Sequence, residues 1–562
     1  MEPLSGLDTA FLALETSTSR MHVAGVLVLG PPEGGRPSSA EERYRQIRRV
    51  VEERLDVVPR LRRRAVRVPL GLQRPAWVEE PHLDLDAHVR RAAVPAPGGR
   101  KELDDLVAEI MSRPLDLHRP LWEMVVVEGL ERDRTAVVAR LHHAILDGVS
   151  GATAMATFLD LEPPVTPPPA RDGTAQCSGD APEPADAVAR NGAEPQVEPT
   201  AEPTATAPAA SPSLVSRLRY AAGTVRLQPE ATLEAVRRGL DAMVELAAQN
   251  RELAAQGSVP PPAFFSAPRT RLNANLTGER TYASLAVPLE DFEAVRAALN
   301  ARAAPAADGG STQRSPDAIT VNDVILSATG GAVARYLHGR GELPSTSLVA
   351  LVPVSTRGHA EVPESGVAAE VGNHVSGMLV TLATTEPDPI ARLRAVSRAA
   401  RVAKRQEQRA GGDLLEGFTR AIPPVLMSLT MRGIGWFHLF DRLPPPFNVV
   451  VSSVVIPDVS LWWAGCPVVD VYPAGPVADG VGLNVTSMTY KGTVHFGLLA
   501  GRKVIPDVAA LAVLLDDAVA ELVALAMEGS GTRSAGRRQG TRGAARVPRA
   551  ADRPRPPAHV PR

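Results

Sequence analysis

The feature that most limits how this chain can fold is a long stretch that is unsuited to a packed core. Residues 162–213, from "EPPVTPPPARDG" to "TATAPAASPS", are rich in Pro, Ala, Glu and Thr and contain no hydrophobic side chain larger than Val. Such a segment buries too little apolar surface to offset the entropy lost on ordering, so it predicts a disordered linker. The linker divides the 562-residue chain into an N-terminal subdomain, 1–161, and a C-terminal subdomain, 214–528. A basic disordered tail is predicted for 529–562, which contains nine arginines and one acidic residue.

Both subdomains mix strand and helix patterns. In the first, β-branched runs predict strands at 23–30, 124–130 and 135–141, and amphipathic patterns predict helices at 41–55 and 101–115. In the second, the same criteria predict strands at 347–355 and 448–455, helices at 321–337 and 506–526, and a hairpin centred on Lys491-Gly492. This mixture indicates an α/β or α+β fold.

Bulk composition excludes several classes of protein. The formal net charge of −2 provides no global basic field for nucleic acid. Two cysteines in so long a chain are typical of a reducing compartment. The N-terminus lacks the basic region of a signal peptide, and no uncharged apolar run reaches the length of a membrane-spanning helix. We therefore expect a cytoplasmic protein. The apolar stretch 421–440, interrupted by prolines, indicates a buried segment or a face that rests on a lipid surface.

The stretch "ARLHHAILDGVSG", residues 139–151, carries the most specific chemical signal. His142 and His143 follow a predicted strand and precede a predicted helix, a position where functional groups often concentrate. Adjacent residues of an extended chain point to opposite sides, so the two histidines are expected to have different roles. A neutral imidazole is a usable general base at cellular pH. Asp147 is expected to order the loop or hold a cation, and Gly148 to permit its turn geometry.

Other interpretations of this stretch remain. His143 and Asp147 would share one face of a helix and could bind a metal, but no third ligand follows at the usual zinc spacing. A serine hydrolase would need a G-x-S-x-G motif, and nucleotide enzymes would need a glycine-rich phosphate loop; the sequence contains neither. Two packed structural histidines beside an ordinary turn are a further alternative.

The motif "HHAILDG" resembles the active-site motif of the CoA-dependent acyltransferases, which include chloramphenicol acetyltransferase and the condensation domains of peptide synthetases. Further segments narrow this to a resemblance to the bacterial wax ester synthase/diacylglycerol acyltransferase family. These are "PLSGLDTAFLALET", "PLDLHRPLWEMVVVEGL", "TVNDVILSATGGAVARYL", "LVPVSTR", "VGNHVSGMLVTL" and "VYPAGPVADGVGLNVTSMTYKG". They occur in the order typical of that family and cover roughly residues 3 to 527, apart from the linker.

The resemblance implies two chloramphenicol-acetyltransferase-like α/β subdomains with a substrate tunnel between them. It implies that His143 takes the proton of a diacylglycerol or fatty-alcohol hydroxyl, which then attacks the thioester of an acyl-CoA without an acyl-enzyme. His142 would support His143, and Asp147 and Gly148 would shape the loop. Asn322 would donate to the oxyanion, or would equally cap a helix. Trp122 would line the tunnel or the core.

No metal or resident cofactor is implied, since acyl-CoA is a co-substrate. The implied partners are long-chain acyl-CoA, the acceptor lipid and a membrane or lipid-droplet surface.

One segment departs from the family pattern. Where the family usually shows Asn-Val-Pro-Gly-Pro, this chain has Ser453–Pro457, "SVVIP". If this loop shapes the tunnel, the substitution affects substrate preference or activity. Two other functions therefore stay open: a condensation-type enzyme that uses a carrier-bound acyl group, and a lipid-binding homologue in which His143 is expendable.

Overall fold

A computed structural model describes residues 2–32, 39–67, 74–145, 151, 154–162, 237, 261–303, 318–355, 375–409, 444–456 and 458–528. The helices are α1 (Gly6–Leu14), α2 (Ala40–Arg54), α3 (Leu85–His88), α4 (Arg100–Ser112), α5 (Leu289–Ala303), α6 (Val321–His338), α7 (Pro389–Arg409) and α8 (Val508–Glu528). The predicted linker and tail lie outside the described residues, apart from Glu162. No helix of the described part is long and apolar enough to cross a bilayer.

Fifteen strands are found in the described residues: β1 (Glu2–Pro3), β2 (His22–Leu29), β3 (Arg63–Val66), β4 (Ala76–Glu79), β5 (Val89–Ala93), β6 (Trp122–Leu130), β7 (Arg134–His142), β8 (Arg280–Pro288), β9 (Val349–Ser355), β10 (Val375–Thr381), β11 (Val449–Val455), β12 (Trp462–Trp463), β13 (Cys466–Ala474), β14 (Leu483–Tyr490) and β15 (Thr493–Gly501). They form two six-stranded sheets and one three-stranded sheet, ordered β1-β4-β3. The predicted mixture of strands and helices is confirmed.

The first large sheet combines strands from distant parts of the chain. Its order is β12-β13-β2-β7-β6-β5, so β13 pairs with β2 although more than 400 residues separate them in sequence. Of its pairs, only β5 and β6 run parallel. Two strands of the predicted C-terminal subdomain therefore complete the sheet that carries the histidines. Sequence order and sheet membership differ here because strand pairing depends on proximity in space.

The second large sheet has the order β10-β9-β11-β14-β15-β8. Its central strand β11 lies parallel to both of its neighbours, β9 and β14. Strands β14 and β15 form the predicted hairpin, in which Tyr490 pairs with Thr493 around a two-residue loop. Lys491 and Gly492 both have positive φ, 46° and 68°, as a tight turn that matches the twist of the strands requires.

Both faces of the first sheet are buried, which the alternation along β7 shows. Ala136 and Val138 belong to a large core that also contains residues of the second sheet and of α4 to α8. Val137, Ala139 and Leu141 belong to a second core, on the opposite face of β7. Strand β7 therefore lies rigidly between two packed layers, and its C-terminal end is a fixed platform for the histidines.

The two large sheets meet through polar contacts as well as apolar packing. Asp104 of α4 is buried and accepts hydrogen bonds from the Ser284 hydroxyl (2.7 Å) and the Ser284 backbone N–H (3.0 Å) on β8. Burial raises the pKa of Asp104 to about 7. At Gly497 of β15, an added Cβ would lie 1.5 Å from the Pro473 carbonyl oxygen of β13. Only glycine permits this approach of the two strands.

Candidate active site

The end of β7 places the histidine pair against the segment that connects α1 to β2. His142 is the last residue of β7 and pairs with His22 of β2. The next backbone N–H, that of His143, donates to the Met21 carbonyl at 2.7 Å. His142 is fully buried, whereas His143 is partly exposed. The two rings thus differ in burial, as expected for adjacent residues of an extended chain, whose side chains point to opposite sides.

The buried ring of His142 is held in one tautomer. Its Nδ1 accepts the backbone N–H of Ala144 at 3.0 Å, so the proton of the neutral ring is on Nε2. That Nε2 lies 3.4 Å from Oε2 of Glu15, whose side chain is 6% exposed. The Met21 backbone N–H also donates to Oε2, at 2.7 Å. Glu15 therefore faces the ring nitrogen that carries the proton, and it orients His142.

A second buried histidine lies on the other side of Glu15. Nε2 of His22 is 3.7 Å from Oε1 of Glu15, and the His22 and His142 rings meet edge to face with centroids 5.9 Å apart. Burial lowers the pKa of His22 well below its usual value, and the nearby Arg140 guanidinium lowers it further. His22 is consequently neutral at physiological pH. It packs against the pair as an uncharged support.

The ring of His143 stacks on Phe11 of α1, with centroids 4.1 Å apart and planes inclined by 26°. Together with the backbone bond to Met21, this contact fixes both the position and the plane of the imidazole. A partly exposed ring held in this way is suited to exchange a proton with a bound substrate.

Residues from the second half of the chain anchor the segment that holds Glu15. The Asp479 carboxylate accepts hydrogen bonds from the hydroxyls of Thr18 (2.8 Å) and Ser19 (3.2 Å) and from the Leu276 backbone N–H (2.7 Å). The buried Arg280 guanidinium donates to the Thr18 carbonyl, and burial lowers its pKa to about 10. The histidine site therefore depends on contacts from both halves of the chain.

Asn322, the predicted oxyanion donor, lies in the first turn of α6. The alternative that Asn322 caps this helix is wrong. Thr320 is the N-cap, and its hydroxyl accepts the backbone N–H of Asp323, whose carboxylate accepts the Thr320 backbone N–H in return. Asp323 is buried and also accepts the hydroxyl of Ser397 at 3.0 Å, so its role here is structural. The Asn322 side chain is left available for another contact.

That contact is made by the segment that departs from the family pattern. The interpretation of Ser453–Pro457 as a loop needs correction: Ser453, Val454 and Val455 are the last residues of β11 and pair with β14. The Ser453 hydroxyl donates to Oδ1 of Asn322 at 2.9 Å and lies 2.9 Å from the Ser487 hydroxyl. These residues form a strand because the parallel β14 provides their hydrogen-bonding partners. Pro457 lies outside the described residues.

Trp122 packs in the core of the first subdomain. It is 2% exposed, its indole N–H donates to the Leu61 carbonyl at 2.7 Å, and its ring stacks on His88 with centroids 4.5 Å apart. These contacts give Trp122 a structural role in the core. Its role as a tunnel wall stays a prediction.

The structure brings His142 and His143 together, and separately Asn322 with Ser453. Asp147 and Gly148 lie outside the described residues, so the predicted role of each in the loop stays untested, as does a metal bound by Asp147. The described residues contain no group of three His, Cys, Asp or Glu side chains arranged to hold a metal ion.

Comparison with known families addresses the sequence as a whole. A family model described as the wax ester synthase/diacylglycerol acyltransferase catalytic domain matches residues 4–303, more than half of the chain. The chain belongs to this family. A second model, described as the C-terminal domain of the same family, matches residues 371–523. The chain is therefore an acyltransferase of the wax ester synthase/diacylglycerol acyltransferase family, as the ordered motifs predicted.

Individual relatives agree with the assignment. A Mycobacterium tuberculosis H37Rv protein named as a diacylglycerol O-acyltransferase is 30% identical over 93% of this chain and 90% of its own length. Another from the same strain, with the same activity in its name, is 33% identical over 92% and 96%. The solved wax ester synthase/diacylglycerol acyltransferase from Marinobacter aquaeolei VT8 is 25% identical, with a TM-score of 0.61 over 93% of this chain and 100% of its own. This match confirms the predicted fold class, an α/β fold with two chloramphenicol-acetyltransferase-like subdomains.

Sequence reasoning missed several residues of the site. Glu15, His22 and Asp479 were not identified because each is remote in sequence from the histidine motif. The signals were weak: an acid after the apolar run "FLAL", and the Asp-Gly pair in "GPVADGVG". Only the strand register and the contacts between the two halves show what these residues do.

Proposed function

We propose that this enzyme transfers the acyl group of a long-chain acyl-CoA to the free hydroxyl of a diacylglycerol, with His143 as the general base. The observation that supports it is the arrangement of the histidines. His143 is partly exposed and held by Phe11 and Met21, while His142 is buried against Glu15. A base held in place and reachable by substrate is what proton abstraction from a hydroxyl requires.

The proposed reaction needs no acyl-enzyme and no resident cofactor. His143 removes the hydroxyl proton as the oxygen attacks the thioester carbonyl, and a tetrahedral oxyanion forms. Collapse of this intermediate breaks the carbon–sulfur bond, and the CoA thiolate leaves and recovers the proton from His143. Nδ2 of Asn322 is the proposed donor to the oxyanion, because Oδ1 of the same amide is occupied by Ser453.

A fatty alcohol is the second candidate acceptor, since it presents the same nucleophile and the family name includes wax ester synthesis.

We further propose that the protein is cytoplasmic and acts peripherally at a membrane or lipid-droplet surface, because both acceptors are lipids.

The test is CoA release by the purified full-length protein with a long-chain acyl-CoA and either diacylglycerol or fatty alcohol. We expect His143→Ala to lower kcat by about 10²–10⁴-fold, the usual contribution of a general base. Equal rates for the two proteins would overturn the assignment of His143. Turnover only when the acyl group is carried by a carrier protein would favour the condensation-type alternative. No turnover with any donor or acceptor, together with retained lipid binding, would favour the lipid-binding homologue.

A further inference from the structure

Two phenylalanines at the tip of one turn are exposed in a way that the core does not explain. Phe264 and Phe265 are 52% and 51% exposed, and their neighbours Ala263 and Ser266 are exposed as well. In the described residues the other exposed large hydrophobic side chains are aliphatic and isolated from one another in sequence: Val57, Leu161, Val459 and Val513. This pair is therefore the principal aromatic feature on the described surface.

The backbone holds both rings outward. The Ser266 backbone N–H and hydroxyl both donate to the Ala263 carbonyl, at 3.3 and 2.6 Å, which closes a turn with the two phenylalanines at its central positions. Phe265 has φ of +66°, where turns of this kind normally use glycine or asparagine. A bulky aromatic residue in the left-handed region is a true outlier. Sequences that break a local rule in this way tend to do so at functional sites.

The base of the turn is fixed, so the exposed tip is not part of a loose end. Ala267 is buried with Val349 and Leu379 at the edge of the second sheet. The Pro268 carbonyl accepts a hydrogen bond from the side chain of Asn448 at 2.6 Å. The turn therefore projects two apolar rings from a rigid support.

We propose that Phe264 and Phe265 insert into the surface of the phospholipid membrane that contains the acceptor. This inference rests on the proposed function, because a diacylglycerol must be drawn from such a surface. Aromatic side chains are favoured at the boundary between head groups and acyl chains. The exposed part of the two rings amounts to only about 100 Å² each, far below the roughly 1,000 Å² that a stable protein interface buries. The pair is thus too small to hold a second copy of this chain.

The test uses the full-length protein and vesicles of phosphatidylcholine and phosphatidylglycerol that contain diacylglycerol. The double variant Phe264→Ser with Phe265→Asn removes both rings and keeps a residue that tolerates positive φ. We expect its partition onto vesicles in a flotation assay to fall by at least about tenfold. Phe264→Trp should retain vesicle binding, because it keeps an aromatic ring suited to the interface. Val513→Ser is the matched control, since it removes an isolated exposed side chain on α8.

Activity provides the second measurement. CoA release with vesicle-borne diacylglycerol is divided by CoA release with hexanol, an acceptor dissolved in water. We expect this ratio to fall by at least about tenfold in the double variant and to stay at the wild-type value in Val513→Ser. An unchanged ratio or unchanged flotation would overturn the proposal. A shift from dimer to monomer in sedimentation velocity would overturn it in favour of a second copy. If flotation falls as expected but no acceptor supports turnover, the surface assignment stands and the proposed function fails.

Discussion

The hydroxyl of Ser453 lies 2.9 Å from Oδ1 of Asn322 and 2.9 Å from the hydroxyl of Ser487. The single proton of Ser453 goes to Asn322, and the Ser487 hydroxyl, which donates to the Ser452 carbonyl at 3.3 Å, lies against the Ser453 oxygen. The hydrogen bond from Ser453 holds Oδ1 of the Asn322 amide against the serine pair, so Nδ2 faces away from it. In the described residues Nδ2 of Asn322 has no partner, so this group is left as a donor. The segment that departs from the family pattern thus supports a residue of the proposed reaction.

Ser453→Ala should therefore lower kcat by about 3- to 10-fold, the effect of losing one neutral hydrogen bond that orients the amide. KM for acyl-CoA should change by no more than about twofold, since the interaction acts on the transition state. Asn322→Ala removes the donor itself and should lower kcat by about 10²–10³-fold. The measurement is steady-state CoA release at varied acyl-CoA. Ser452→Ala is the control, because only the carbonyl of Ser452 takes part in these contacts. A Ser453→Ala enzyme with the kinetics of Ser452→Ala would contradict the orienting role.

Glu15→Gln tests how the buried histidine is held. The substitution keeps the shape of the side chain but removes the negative charge that lies 3.4 Å from Nε2 of His142. We expect kcat to fall about tenfold or more, because a neutral amide attracts the Nε2–H group of His142 less strongly than the buried carboxylate does, and the ring is oriented less firmly. Nitrogen NMR of the histidine-labelled protein is the direct readout, and it should show a shifted Nε2 resonance of His142, while the bond from Ala144 to Nδ1 keeps the tautomer. A wild-type nitrogen spectrum in Glu15→Gln would argue against this role.

Asp479→Ala tests the contact between the two halves of the chain. Three donors, from Thr18, Ser19 and Leu276, lose their acceptor. We expect the free energy of unfolding in urea to fall by about 2–4 kcal/mol, because three donors at buried or half-buried positions are left without partners. CoA release should fall as well, since the freed segment holds the histidine pair. Asp458→Ala is the control, an exposed acid without a hydrogen bond in the described residues. If the two variants are equally stable, Asp479 does not anchor the site.

Asp104 predicts a dependence of stability on pH. Burial raises its pKa to about 7 from the ordinary value of 3.8, so the folded chain takes up a proton at a higher pH than the unfolded chain. This group therefore increases stability as the pH falls from about 7 towards 4, and that contribution is lost as the pH rises through 7. Between pH 8 and pH 5 the wild type should gain about 2–3 kcal/mol relative to Asp104→Asn in urea unfolding. Parallel pH profiles of the two proteins would contradict the raised pKa.

Local sequence patterns predicted most of the secondary structure near the site. The strand predicted at 135–141 is found at Arg134–His142, and the helix predicted at 321–337 is found at Val321–His338. The Lys491-Gly492 turn is found where predicted, because positive φ at both residues is a local preference. These elements are encoded by the periodicity of side chains that are neighbours in sequence.

The sequence by itself thus determined the class of fold, the family and the histidine pair, since these depend on short patterns in a fixed order. Only the tertiary structure decided which side chains surround them. The pairing of β13 with β2, the position of Glu15 between His22 and His142, and the contact of Ser453 with Asn322 join residues far apart in sequence. No local propensity specifies such pairs, because they arise when two separately patterned sheets pack against each other and bury their polar groups against whatever partner lies opposite.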